Sequence, residues 1–184
     1  MTFTIATAAD KVNIWDSLNI SQESPQVPSA PAYTLPISGT PLWTCWTGNF
    51  EILAALFPRS IHLIHRKDYI TDVIETGPGN SALAMGYKSS KLLYYASDKV
   101  VKMYDVQNKK EVNSLTGQSA KIKTLSVSND DQRIASGAVD GSVMVHSLKH
   151  GTKSKLNSPF KQVVIKSKPR LLIKWLFIIL KNHS

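Results

Sequence analysis

A short hairpin unit that recurs along the chain constrains the fold more than any other feature. Its clearest copy is "RIASGAVDGSVMVHSL", residues 133–148, with a small-residue strand at Ile134–Gly137, a turn at Asp140-Gly141 and a second strand at Ser142–Leu148. Asp-Gly between two β-like runs is a strong hairpin signal, because both residues tolerate positive φ. The spacing predicts a two-residue turn with Gly141 at positive φ. "MTFTIATAADKVNIWD" has the same grammar with its turn at Asp10-Lys11, and "LLYYASDKVVKMYD" repeats it with a turn at Asp98-Lys99. A degenerate copy runs from Ile52 to Lys67, where Pro58-Arg59 replaces the Asp turn. The penultimate residues of the second strands, Trp15, His65, Tyr104 and His146, are separated by 50, 39 and 42 residues.

A unit of about 40–45 residues that joins a small-residue strand, an Asp turn and a closing Trp-Asp pair marks a blade of a WD-repeat β-propeller. Trp15-Asp16 matches the closing pair, Tyr104-Asp105 weakens it, and His146-Ser147 stands in its place in the last copy. The chain therefore reads as all-β: a partial WD-repeat propeller over residues 1–161, with about three full blades plus part of another, followed by a non-propeller tail. Residues 1–16 supply two strands of a first blade without its inner strand, and Ser17–Gly39, with Pro25, Pro28, Pro31 and Pro36, reads as a strand plus a long exposed loop. The second blade takes Pro41–Thr47, Ile52–Phe57 and Ile61–His65; the third takes Ser81–Tyr87, Leu92–Ala96, Val100–Tyr104 and Glu111–Leu115. The fourth takes Ile122–Val127 and the 133–148 hairpin, then runs into a polar segment at 150–160. Gln162–Ile165 could begin a fifth inner strand.

The remaining tail, 162–184, is basic and apolar, with a helix as one option. Leu171–Leu180 is apolar except for Lys174, but its ten residues fall short of a bilayer span, which takes about 20 in a helix. No membrane span is expected. Net charge is +9, yet all of the excess lies late: nine basic residues and no acidic one follow Asp140. The first 140 residues balance at 13 basic and 13 acidic, which argues against a face built for nucleic acid. The single Cys45 excludes an internal disulfide and fits a reducing compartment, so a cytoplasmic protein is expected.

No nucleophile, base and oxyanion donors assemble into a catalytic constellation, and neither a metal nor a cofactor is expected. His62 and His65 are three apart on a strand, so their rings point to opposite faces and cannot share an ion. Gly77-Pro78-Gly79-Asn80 lacks the Lys and hydroxyl of a phosphate loop, and Pro78 removes a donor amide. Cys45, between Trp43 and Trp46 on an apolar strand, reads as a core thiol. The repeat-defining residues are Asp10, Trp15, Asp16, Asp98, Tyr104, Asp105, Asp140, Gly141 and His146, with the turn aspartates satisfying nearby amides. Ser24-Pro25, Thr40-Pro41 and Ser158-Pro159 are candidate sites for proline-directed phosphorylation at Ser24, Thr40 and Ser158.

Three stretches carry a narrower resemblance: "FTIATAADKVNIWD", "VVKMYDVQNKKEVNSL" and "RIASGAVDGSVMVHSL" with the following "LNSPF". Together they resemble the propeller of the centrosomal WD-repeat proteins that target the γ-tubulin ring complex, chiefly from Leu92 to Lys161. That resemblance implies a non-enzymatic scaffold with protein partners, among them γ-tubulin ring complex components or centrosomal and spindle proteins. It places the chain at the centrosome, spindle pole or microtubule cytoskeleton, in microtubule nucleation. The alternative is a WD-repeat adaptor of another pathway.

Overall fold

A computed structural model describes residues 2–19, 30–36, 39–47, 51–88 and 91–149, with further strands at 153–156, 163–166 and 177–180. Side chains are described within 6–15, 30–36, 39–47, 51–88 and 91–149. Every regular element among the described residues is a β-strand.

The first sheet is β1 (Thr2–Ala8), β2 (Val12–Asn19) and β3 (Tyr33–Thr34) in that order. The second holds β4 (Trp43–Trp46), β5 (Ile52–Leu56), β6 (Ser60–His65) and β7 (Thr71–Glu75), a sequential antiparallel meander. The third repeats it with β8 (Asn80–Met85), β9 (Leu92–Ser97), β10 (Val100–Asp105) and β11 (Lys110–Leu115). The fourth does so with β12 (Ile122–Val127), β13 (Arg133–Ala138), β14 (Val143–Ser147) and β15 (Lys153–Leu156). Last come β16 (Val163–Lys166) and β17 (Phe177–Leu180), paired antiparallel. β16 lies against β12 and β13, the place of a fifth inner strand. The helix considered for the tail falls mostly outside the described residues; Phe177–Leu180, within it, is strand.

Each sheet packs face to face on the next, which explains why the inner strands are apolar on both faces instead of alternating. In β5 all five residues are buried. Ile52, Ala54 and Leu56 join Leu83, Met85, Leu93 and Tyr95 of the third sheet. Leu53 and Ala55 turn the other way, onto Val12, Ile14 and Leu35 of the first. β8 and β9 repeat this: Ala82, Ala84, Tyr94 and Ala96 meet Ile122, Leu125, Val127 and Ile134 of the fourth sheet. Alanines at the crowded inner positions let successive sheets approach closely. This stacking of four-stranded meanders is the architecture of a partial propeller.

Three differences from the sequence reading have physical causes. β7 and β15 were not expected, because "TDVIE" buries only Ile74 and "KSKL" has no apolar periodicity. Outer strands need one paired edge and little core, so their apolar signal is weak. The hairpin at 138–142 is not a two-residue turn. Ala138 N–H donates to Ser142 O (3.0 Å) and Gly141 N–H to Ala138 O (3.1 Å), which leaves Val139, Asp140 and Gly141 as a three-residue loop. Gly141 does have positive φ, 81°, whereas Asp140 does not. The bulged form needs only one left-handed residue, and glycine supplies it.

Candidate functional site

In a four-stranded meander, the turn between strands two and three lies at one end, and the other two connections within the sheet lie at the opposite end. Main-chain bonds between sheets keep these ends in common. Asp98 N–H donates to Gly79 O (3.1 Å) and Asp98 O accepts from Ile122 N–H (2.8 Å) at the tight-turn end. At the opposite end, the loop end, Asp131 spans two sheets. Its Oδ1 accepts from Tyr87 N–H (2.6 Å) and its Oδ2 from Lys88 N–H (2.8 Å).

The tight-turn end holds the expected repeat residues. Asp140 Oδ1 accepts from Ser142 N–H (3.0 Å) and Ser142 Oγ (2.6 Å), and its Oδ2 accepts from Ser119 Oγ (2.7 Å). Ser142 Oγ also lies 2.8 Å from Gln118 Oε1, and Gln118 Nε2 donates to Ser136 O (2.9 Å) and Oγ (3.0 Å). Gln118, Ser136 and Ser142 are buried, so this network locks the 116–121 connection onto the hairpin beside it. The sequence reading missed Gln118, and no local pattern marks it; in the structure it follows a left-handed Gly117, φ 130°. His146, where the repeat would place Trp, is buried with Nε2 at 3.1 Å from the Thr116 carbonyl oxygen. A carbonyl only accepts, so Nε2 carries the proton there.

Other repeat positions diverge. Trp15 Nε1 donates to Thr7 Oγ1 (3.1 Å), tying the two strands of the first hairpin. Asp98 acts through its main chain, with φ 52°, and not through a capped carboxylate. Asp10 is exposed in its turn, and the Asp16 side chain lies outside those described. Tyr104 is half-buried against the core between the second and third sheets. Asp105 folds back on its own loop, accepting from Asn108 N–H (2.8 Å) and Nδ2 (2.9 Å), and these bonds hold its carboxyl below the usual range.

The groups with reactive chemistry are occupied by structure. His62 Nε2 lies 3.2 Å from Ser60 Oγ, and its ring meets Phe57 edge-on at 5.1 Å; burial lowers its pKa. His65 turns the other way, to Asp72 Oδ2 at 3.3 Å. Asp72 Oδ1 accepts from Lys109 Nζ (2.8 Å), a bond between the second and third sheets that depresses the Asp72 pKa. Cys45 packs on the same core, and burial pushes its thiol up to about 12, so it stays protonated at neutral pH. Gly77-Pro78-Gly79 is a turn, with Gly77 and Gly79 at φ 73° and 104°. Thr40 is exposed in the segment before β4; Ser24 and Ser158 lie outside the described residues. Among the described residues no helix is long and apolar enough to cross a membrane.

Charges of both signs line the loop end. Arg66, Lys67, Lys88, Lys91, Lys109, Lys110 and Lys149 are exposed there, as is Glu51, and Lys109 is held by Asp72. Asp68, Asp105, Asp130 and Asp131 share that end, and each accepts from backbone amides of the loops: Asp68 from Ile70, Asp105 from Asn108, Asp130 from Gln132, and Asp131 from Tyr87 and Lys88.

No family model matches the chain. Over 72 residues the chain is 36% identical to a guanine nucleotide-binding protein subunit beta of Schizosaccharomyces pombe. The matched stretch is 39% of this chain and 23% of that protein, so the chain spans under a quarter of the relative's length. With the stacked meanders, this likeness supports WD-repeat blades, a fold that points to protein-binding work.

Proposed function

We propose that the chain is a non-enzymatic adaptor of the microtubule-nucleation machinery, a cytoplasmic protein that helps place γ-tubulin ring complexes at centrosomes or spindle poles. The observation that carries this reading is the sequence of the third and fourth blades, from "LLYYASDKVVKMYD" to "LNSPF", with His146-Ser147 in place of Trp-Asp. The non-enzymatic part draws support from the occupied state of His62, His65, His146 and Cys45, each held in a structural contact. In such an adaptor, Ser24, Thr40 and Ser158 are points where phosphorylation would change partner choice.

The test is affinity purification of the tagged chain from dividing cells, with imaging of the same tag. Enrichment of γ-tubulin complex components and centrosomal foci is expected. A stable set of partners from a different assembly, with diffuse signal, would overturn it and favour the second reading: a WD-repeat adaptor of another pathway. The likeness to a guanine nucleotide-binding protein subunit beta supports that second reading, because that protein is named for a different assembly.

A further inference from the structure

We propose that Asp140-Gly141 is a latent site of spontaneous isoaspartate formation, which the fold holds unreactive until this hairpin of the fourth sheet opens. It goes beyond the adaptor reading and does not depend on it. Of the nine glycines, only Gly141 follows an aspartate, and none follows an asparagine. An Asp-Gly pair is chemically labile because glycine has no side chain to shield its nitrogen from the carboxyl before it. The Gly141 nitrogen gives up its proton and bonds to Asp140 Cγ, while one carboxyl oxygen leaves as water, closing a five-membered succinimide. Water then opens the ring. Attack at Cγ restores aspartate, whereas attack at the Asp140 main-chain carbonyl carbon breaks the original peptide bond and leaves the chain running through Cγ. One water leaves and one enters, so mass and oxidation state are unchanged.

The structure opposes ring closure at both reacting groups. Gly141 is buried, and its N–H is held by Ala138 O at 3.1 Å. Asp140 Oδ1 is held by Ser142 N–H (3.0 Å) and Ser142 Oγ (2.6 Å), and Oδ2 by Ser119 Oγ (2.7 Å). Attack requires the 140–141 peptide plane to turn its nitrogen toward Cγ, which breaks the bond to Ala138 and pulls the carboxyl from its serines. The flanking residues resist that turn: Ala138 N–H is bonded to Ser142 O (3.0 Å) and Val139 N–H to Lys121 O (2.9 Å). Behind them, Gln118 ties buried Ser142 to Ser136. Reaction therefore proceeds from chains in which this end has opened, and its rate follows the opened fraction. Isoaspartate adds a methylene to the main chain of the loop and moves the carboxylate onto Cα. The 138–142 closure and the contacts to Ser119 and Ser142 then no longer fit together, so the change records opening and prevents reclosing.

The test ages the full chain at physiological temperature and pH, native or unfolded in guanidinium chloride, and then digests it with trypsin. Cleavage after Arg133 and Lys149 releases residues 134–149, whose aspartyl and isoaspartyl forms have equal mass and separate by chromatography. The unfolded chain should accumulate isoaspartate at this pair at least about tenfold faster than the native chain. Ser119→Ala removes one carboxyl contact at an exposed position and should raise the native rate about threefold or more. Ile74→Val thins the core between the second and third sheets, away from the pair, and should leave the native rate at the wild-type value. No isoaspartate in the unfolded chain, equal rates in native and unfolded chains, or a wild-type rate in Ser119→Ala would each overturn the proposal. So would equal acceleration by Ser119→Ala and Ile74→Val, which would place the protection in the overall fold and not at this hairpin.

Discussion

Gly141 shows how one backbone angle fixes a hairpin. At φ 81° in the 138–142 loop it sits where a β-branched side chain is strongly disfavoured. Gly141→Val should cost about 1–2 kcal/mol in denaturant unfolding; no measurable loss would show that the loop can switch to another turn. Gln118 makes a different kind of contribution, because its amide serves Ser136 and Ser142 together in a buried place. Gln118→Ala strands those groups and should cost about 1–3 kcal/mol. Wild-type stability in that variant would mean that water replaces the side chain. Gly141 was legible because Asp-Gly is a local signal, though the loop length was not: the choice between two and three residues depends on which pair closes the ladder. Gln118 was illegible, since glutamine at an exposed-looking connection says nothing of a hairpin 18 residues ahead.

Between elements, the sheets are joined by core on their inner strands and by polar clasps at their ends. Asp131 is the clearest clasp, holding two amides of the neighbouring sheet from a left-handed position, φ 56°. Asp131→Ala removes both acceptors and puts alanine where asparagine or aspartate is better tolerated, so a loss of about 2 kcal/mol is expected. Asp131→Asn keeps the conformational tolerance and one acceptor, and should lose less. If both variants lose equally, charge rather than geometry holds the clasp. The Asp72–Lys109 contact predicts a pH effect of definite sign. The Lys109 ammonium, together with His65, lowers the Asp72 pKa in the folded state, so its contribution is present above the unfolded carboxylate value. It is lost as pH falls through the lower folded value. Asp72→Asn should therefore flatten the acid limb of the stability profile, and an unchanged acid limb would remove this contact from the account. Inner strands were legible because burial on both faces makes continuous apolar runs. β7 and β15 were not, because an outer strand is held by its ladder and carries little core.

Across the whole molecule, the recurrence of one hairpin predicted the stacked meanders, because a unit apolar on both faces must find neighbours on both. The central claim is that these blades form a protein-binding platform. The most direct measurement places a photo-crosslinking amino acid at position 88, on the loop end, or at position 99, on the tight-turn end, in the full chain expressed in dividing cells. From at least one end the adducts should be a reproducible set of proteins. Adducts with RNA, or no protein adducts from either position above a control without light, would contradict the account.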